Sequence, residues 1–146
     1  MKYMKKIIIY TDGACSKNPG PGGWGAVLLY NNTEKRISGS ENSTTNNQME
    51  LMAVLKSLQL LKEPCDIEIF SDSKYVCDGI TSWLSNWKKN NWIGSNKQPI
   101  KNKNLWQELD NIMQIHTIKM SWVRGHSGDK YNEIADKLAT GAVFRE

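Results

Sequence analysis

The chain has 146 residues, of which 39% are apolar and 23% charged, the make-up of a globular domain large enough to bury a core. Its 19 Lys and Arg against 15 Asp and Glu give a net charge of +4, which permits a polyanionic partner without demanding one. No apolar run approaches the roughly 20 residues that span a bilayer, and Ile7–Tyr10 is too short for the core of a secretory signal. Three cysteines (Cys15, Cys65, Cys77) without metal-ligand spacing read as reduced thiols of a cytoplasmic protein.

With no repeat or low-complexity linker, residues 1–146 read as a single domain. Ile7 to Thr11 is an apolar run bounded by turn residues and is predicted as a buried strand. Asn18-Pro19-Gly20-Pro21-Gly22-Gly23 is a turn signal. Strands follow at Trp24–Tyr30 and Lys35–Ser40, joined at Asn31-Asn32, so the first three strands form an antiparallel meander. Thr44 to Asn47 offer N-caps for a helix to about Leu61, with Leu51, Val54, Leu55, Leu58 and Leu61 on one stripe.

Ile67–Phe70 is the fourth strand, and Ser71-Asp72-Ser73 caps a helix holding Tyr75, Val76 and Ile80. Thr81 to Trp92 reads as helical and breaks near Gly94 and Pro99. Leu105, Leu109, Ile112 and Met113 mark another amphipathic helix. Ile118–Val123 is a last strand, residues 124–128 a loop, and Ile134 to about Phe144 a final helix. Strands reached through helical crossovers lie parallel, so the expected fold is α/β: a five-stranded mixed sheet, three antiparallel strands and then two parallel additions, flanked by helices.

Asp12 and Asp72 each end a strand. If those strands are parallel neighbours, both carboxylates emerge at one sheet edge, where open α/β sheets place their sites. Taken singly, Asp12 before Gly13 suits a turn and Asp72 suits a helix cap. Glu50 lies in the first turn of its helix at the border of the apolar stripe, and Asp136 at the margin of a small-residue face with Ala139 and Val143. Four converging carboxylates would repel one another unless a metal neutralised them, and oxygen-only ligation favours Mg²⁺ or Mn²⁺ over zinc. Lys88 to Lys103 holds five lysines and no acid, which sets a basic stretch apart from the acidic cluster.

Residues 10–15 (YTDGAC), 18–25 (NPGPGGWG) and 44–53 (TTNNQMELMA) resemble the type I ribonuclease H family of bacteria. So do 71–76 (SDSKYV), 86–90 (NWKKN), 122–126 (WVRGH) and 132–136 (NEIAD), in the family's order, over about Ile7 to Phe144. The resemblance implies the ribonuclease H-like fold and hydrolysis of the RNA strand of RNA·DNA hybrids. It further implies two Mg²⁺ ions, with Mn²⁺ as a substitute, and products with 5′-phosphate and 3′-hydroxyl ends. Asp12, Glu50, Asp72 and Asp136 map onto its metal-binding carboxylates, and His126 onto a loop histidine that assists proton movement and product release.

Around the RNA strand the resemblance places Cys15, Asn18, Asn46 and Gln48, where the 2′-hydroxyl in the wide minor groove marks the strand to be cut. Residues 81–101 resemble a basic handle for the DNA strand, with Lys88, Lys89, Lys97 and Lys101 expected at phosphates and Trp92 as a substrate contact. Trp83 and Trp87, one helical turn apart, are expected in the core. A monomer is expected. The competing readings are a non-catalytic hybrid-binding module and a related polynucleotidyl transferase such as a junction resolvase.

Overall fold

The structure is a computed structural model that describes residues 4–125 and 127–143. β1 (Lys5–Cys15), β2 (Gly20–Tyr30) and β3 (Thr33–Thr44) form the meander, and α1 (Asn46–Gln59) leads to β4 (Cys65–Ser71). α2 (Lys74–Asp78) passes through a π-helical turn (Gly79–Trp83) into α3 (Leu84–Lys89), and after the handle come α4 (Lys103–Met113), β5 (Thr117–Trp122) and α5 (Lys130–Val143). The five strands lie in the order β3-β2-β1-β4-β5. β1 runs antiparallel to β2 and parallel to β4, and β4 runs parallel to β5. The expected mixed sheet is the observed one.

Strand alternation assigns the two faces. Ile7, Ile9, Ile67 and Ile69 bury on one face with Leu51, Val54 and Leu58 of α1 and Trp106 and Leu109 of α4. Tyr10 and Phe70, one position out of phase, stack at 4.7 Å on the other face, where Tyr131 of α5 meets Tyr10 at 5.4 Å.

Three boundaries differ from expectation for physical reasons. The glycine-rich run from Gly20 is not a turn but the start of β2, because Gly22, Gly23 and Gly25 pair across to β1 and β3. β3 extends to Thr44 because β2 supplies partners along its whole length. α5 begins at Lys130, a turn ahead of Ile134, because the Asp129 carboxylate accepts from the Tyr131 and Asn132 amides, each at 3.1 Å.

The tryptophans also depart from expectation. Trp83 is 36% exposed, whereas Trp92 is half-buried against the core. Asn91 and Trp92 both take left-handed backbone conformations, and this folds Trp92 back so that its amide donates to the Trp87 carbonyl at 2.8 Å. Trp92 therefore packs beside Trp87 rather than standing free for substrate.

Candidate active site

The parallel pairing of β1 with β4 matches Thr11 to Ser71. The next residue of each strand line, Asp12 and Asp72, therefore reaches the same sheet edge, as the sequence suggested. Glu50 arrives from α1 just past its first turn, a little later than expected because the helix starts at Asn46, a start fixed by the Thr45 hydroxyl accepting from the Gln48 amide. Carboxylate oxygens of Asp12, Glu50 and Asp72 all lie within 4.8 Å of one another. Asp12 is 5% exposed and Glu50 3%.

Two close backbone approaches make this convergence possible. A Cβ on Gly13 would stand 2.4 Å from the Glu50 nitrogen, so only glycine lets α1 sit so near the end of β1. The Gly13 amide then donates to both Asp12 Oδ1 (2.9 Å) and Glu50 Oε1 (2.5 Å), which ties the two carboxylates to one N–H. On the opposite face Gly25 is the cross-strand partner of Asp12. A Cβ on Gly25 would meet Leu138 Cβ at 2.5 Å and the Ala135 carbonyl at 2.8 Å, so its absence brings α5 onto the sheet beside Asp12. Asp136 rides on that turn and shares a hydrogen bond with the Asp12 carboxyl. It stands at the border of the three-carboxylate cluster rather than inside it.

Further contacts hold the edge in place. The Ser71 hydroxyl donates to Glu50 Oε2 at 3.5 Å, and the Trp122 indole N–H donates to the Asp72 carbonyl at 3.1 Å. Neither partner was evident from sequence, because Ser71 meets the Glu50 carboxylate and Trp122 the Asp72 backbone carbonyl between segments far apart in the chain. Gly125 packs against Asp72, where an added Cβ would lie 2.8 Å from Oδ2. His126 lies outside the described residues.

The electrostatics follow from burial. Desolvation lifts the Asp12 carboxyl to about 7, helped by the charge of Asp72 and the hydrogen bond to Asp136, against the lowering effect of its bonds to Glu50 and Gly13. Glu50 is held well above the usual carboxylate range, again by desolvation first and then by Asp12 and Asp72. Three oxygen donors, two of them (Asp12 and Glu50) with suppressed ionisation, and no His or Cys in the cluster among the described residues, fit a hard divalent cation. The donor set, not any one acid, argues for metal.

Beside this edge, Asn18 Oδ1 accepts from the Asn46 amide at 2.9 Å, so the two loops expected at the RNA strand are joined. The Cys15 thiol donates to the Lys17 carbonyl at 2.7 Å. Gln48 accepts from the Thr44 hydroxyl at 2.8 Å and donates to Asn102 Oδ1 at 3.1 Å. Asn102 and Trp106 in turn donate to the Tyr75 hydroxyl, at 3.0 and 2.9 Å. This polar chain links α1 to the handle's exit and to α2, and periodicity gave no sign of it. In the handle, Lys89, Lys97 and Lys101 are exposed, while Lys88 pairs with Asp110 at 3.3 Å.

Comparison with known proteins agrees with this geometry. Residues 4–144 match the RNase H family. The chain is 58% identical to a ribonuclease H of Francisella philomiragia over 94% of this chain and 90% of that one. It is 56% identical to a ribonuclease H of Alcanivorax borkumensis over 96% and 93%. Among solved structures, LC9-RNase H1, described as a type 1 RNase H with the type 2 active-site motif, superposes with a TM-score of 0.89 at 30% identity, covering 98% of this chain and 74% of that one. Buried carboxylates at the carboxyl edge of this sheet, a family match over nearly the whole length, and relatives above half identity lead to one conclusion: the chain belongs to the RNase H family.

Proposed function

We propose that this chain is an endonuclease that hydrolyses the RNA strand of RNA·DNA hybrids with two divalent ions, Mg²⁺ or Mn²⁺, leaving 5′-phosphate and 3′-hydroxyl ends. The observation that carries the reading is the mutual approach of Asp12, Glu50 and Asp72 within 4.8 Å at a sheet edge. These three carboxylates would hold the ions, with Asp136 completing the set from α5. Bound there, paired divalent ions supply Lewis acidity at the phosphodiester and neutralise charge on the attacking and leaving oxygens.

The protein's own groups do the rest. Gly13 N–H and the Ser71 hydroxyl keep Glu50 aimed, so the carboxylates need little rearrangement when substrate arrives. Cys15, Asn18, Asn46 and Gln48 are exposed or half-buried beside the cluster, suited to reading the 2′-hydroxyls of the strand to be cut. Lys88, Lys89, Lys97 and Lys101 would meet phosphates of the DNA strand, a contact that gives affinity without sequence information. Trp92 contributes by bracing α3 rather than by touching substrate. For His126, which lies outside the described residues, a role in proton movement and product release is proposed from the family resemblance alone.

No helix among the described residues is long and apolar enough to cross a membrane. A cytoplasmic monomer acting on hybrids is the corresponding proposal for setting.

The test is cleavage of end-labelled RNA·DNA hybrid, with single-stranded RNA and both homoduplexes alongside, with and without Mg²⁺. Metal-dependent cutting of the hybrid's RNA strand alone is expected. Tight binding without cutting would replace this reading with a binding module, and cutting of branched DNA with a resolvase.

A further inference from the structure

Asp72 is the least enclosed of the three clustered carboxylates, being half-buried where Asp12 and Glu50 are buried. It also stands outside the pair of bonds by which the Gly13 amide ties Asp12 to Glu50. Its position therefore rests on other neighbours. β4 ends at Ser71, whose carbonyl accepts from the Val123 amide at 2.9 Å. One residue on, the Asp72 carbonyl has left the sheet ahead of α2, and there it accepts from the Trp122 indole N–H at 3.1 Å. Further along the same segment, Gly125 packs against the Asp72 carboxylate. Residues 122–125 thus meet Asp72 at both its backbone and its side chain.

Trp122 is the last residue of β5 and is 47% exposed, so it adds little to the core. Its ring is nevertheless anchored twice. The N–H points to Asp72, and the Lys74 ammonium lies 5.1 Å from the ring centre, close enough for a cation–π contact. Lys74 opens α2, so the ring is clamped between the end of β5 and the helix into which Asp72 leads. Folding energy does not account for the indole bond, because at an exposed site water replaces such a bond with little net loss. What water cannot do is hold the Asp72 carbonyl in one direction.

We propose that Trp122 is a positioning residue for the metal centre: its indole N–H fixes the Asp72 backbone, so that the Asp72 carboxylate already faces Asp12 and Glu50 when a divalent ion arrives. The inference rests on the reading of this edge as a metal-dependent hydrolytic site. It gives Trp122 no contact with the hybrid and no part in proton transfer. Loss of the indole N–H should therefore weaken the hold on metal and leave the hold on substrate as it was.

The experiment compares the intact wild type with Trp122→Phe, with Asp72→Asn, and with a form carrying benzothienylalanine in place of Trp122. The benzothienyl ring keeps the size and shape of indole and lacks its N–H, so it removes the bond without opening a cavity. Mn²⁺ affinity is read without substrate by electron paramagnetic resonance, beside melting temperature, KM for the hybrid, and the Mg²⁺ concentration for half-maximal cleavage. Both Trp122 forms should bind Mn²⁺ about tenfold more weakly and need correspondingly more Mg²⁺. Turnover should return at high Mg²⁺, with KM and the metal-free melting temperature close to the wild type's. Unchanged Mn²⁺ affinity in the benzothienyl form, beside its loss in Asp72→Asn, would overturn the proposal and leave the functional reading standing. A raised KM with normal Mn²⁺ affinity would overturn it in favour of substrate contact. A turnover loss that tracks a lowered melting temperature and resists high Mg²⁺ would overturn it in favour of a purely structural ring. Metal binding and cleavage retained in Asp72→Asn would overturn the functional reading itself, and this proposal with it.

Discussion

The carboxylate edge and the basic handle are built in opposite ways, although both are proposed to face the same substrate. At the edge, each acid is fixed by backbone that also packs the core: Asp12 and Asp72 by the register of β1 with β4, and Glu50 by the close seat of α1 on Gly13. In the handle, Lys97 projects from a short exposed loop closed by the Ile93–Pro99 bridge and the Gly94–Gln98 hydrogen bond, while the exposed Lys89 ends α3 before that loop and the exposed Lys101 follows it. Reaction geometry tolerates little error, so its groups sit where the fold is stiffest. Phosphate attraction tolerates much, so its groups sit on long flexible side chains whose contributions add.

The comparison breaks most visibly if single changes at the two regions have similar effects. Asp72→Asn should lower turnover by roughly 10³-fold or more, since losing metal-supplied charge stabilisation removes several kcal/mol. Lys97→Ala combined with Lys101→Ala should leave turnover intact and raise KM. Steady-state kinetics on one hybrid separates the two patterns. A large turnover defect from the lysine pair would show that the handle sets geometry as well as affinity.

Next in size are the two glycines that admit the helices. Gly13→Ala forces a Cβ against the first turn of α1, and Gly25→Ala forces one against α5. Each should destabilise the fold by about 1–3 kcal/mol, as overpacking does, and each should impair cleavage by shifting Glu50 or Asp136 respectively. Thermal melts paired with cleavage rates would measure both. An Ala variant that is stable and fully active would show that the carboxylates do not depend on these close approaches.

A smaller effect concerns protons. The folded protein keeps Asp12 protonated up to about 7, whereas the unfolded chain gives that proton up near 3.8. Between those values the folded state binds more protons, so the metal-free protein should lose stability as pH rises from about 4 to 7, with Glu50 adding in the same direction. Asp12→Asn should flatten that slope and stabilise the metal-free protein near neutrality by about 1 kcal/mol or more. Millimolar Mg²⁺ should raise the melting temperature of the wild type at pH 7–8 more than at pH 5. Destabilisation by Asp12→Asn would mean that its carboxylate serves the fold.

The smallest expected effect is electrostatic. Each handle lysine that meets a phosphate should reduce the slope of log affinity against log salt by about 1 when replaced by Ala. Lys88, already paired with Asp110, should change it less than Lys89.

Much of this arrangement was legible in the chain itself. The apolar runs at Ile7 and Ile67 marked two strands joined by a helical crossover and so parallel, and the shared edge of Asp12 and Asp72 followed on the condition that they are neighbours, which the β1–β4 pairing meets. Glu50 borders the stripe of α1, which aims it partly toward the sheet, but its grouping with the other acids rested on the family resemblance. What stayed hidden depends on contacts between distant segments. The glycines near Gly22 carry a turn-like composition, yet in the fold they are strand positions bared for α1 and α5 to pack. Trp92 looked free because it follows the helical break, and only the left-handed pair Asn91–Trp92 turns it inward. The Gln48–Asn102–Tyr75 chain joins residues 27 and 54 positions apart, beyond the reach of any local pattern.

The most direct test of the central claim measures metal uptake and cleavage in the same samples. Mn²⁺ binding, followed by electron paramagnetic resonance, and hybrid cleavage would be recorded for the wild type, Asp12→Asn and Asp72→Asn. The account predicts that metal binding and cutting of the RNA strand are lost together in both variants while the fold, read by circular dichroism, persists. Full Mn²⁺ binding in both variants, or cleavage that survives without it, would contradict the assignment of this carboxylate edge as the metal-dependent active site.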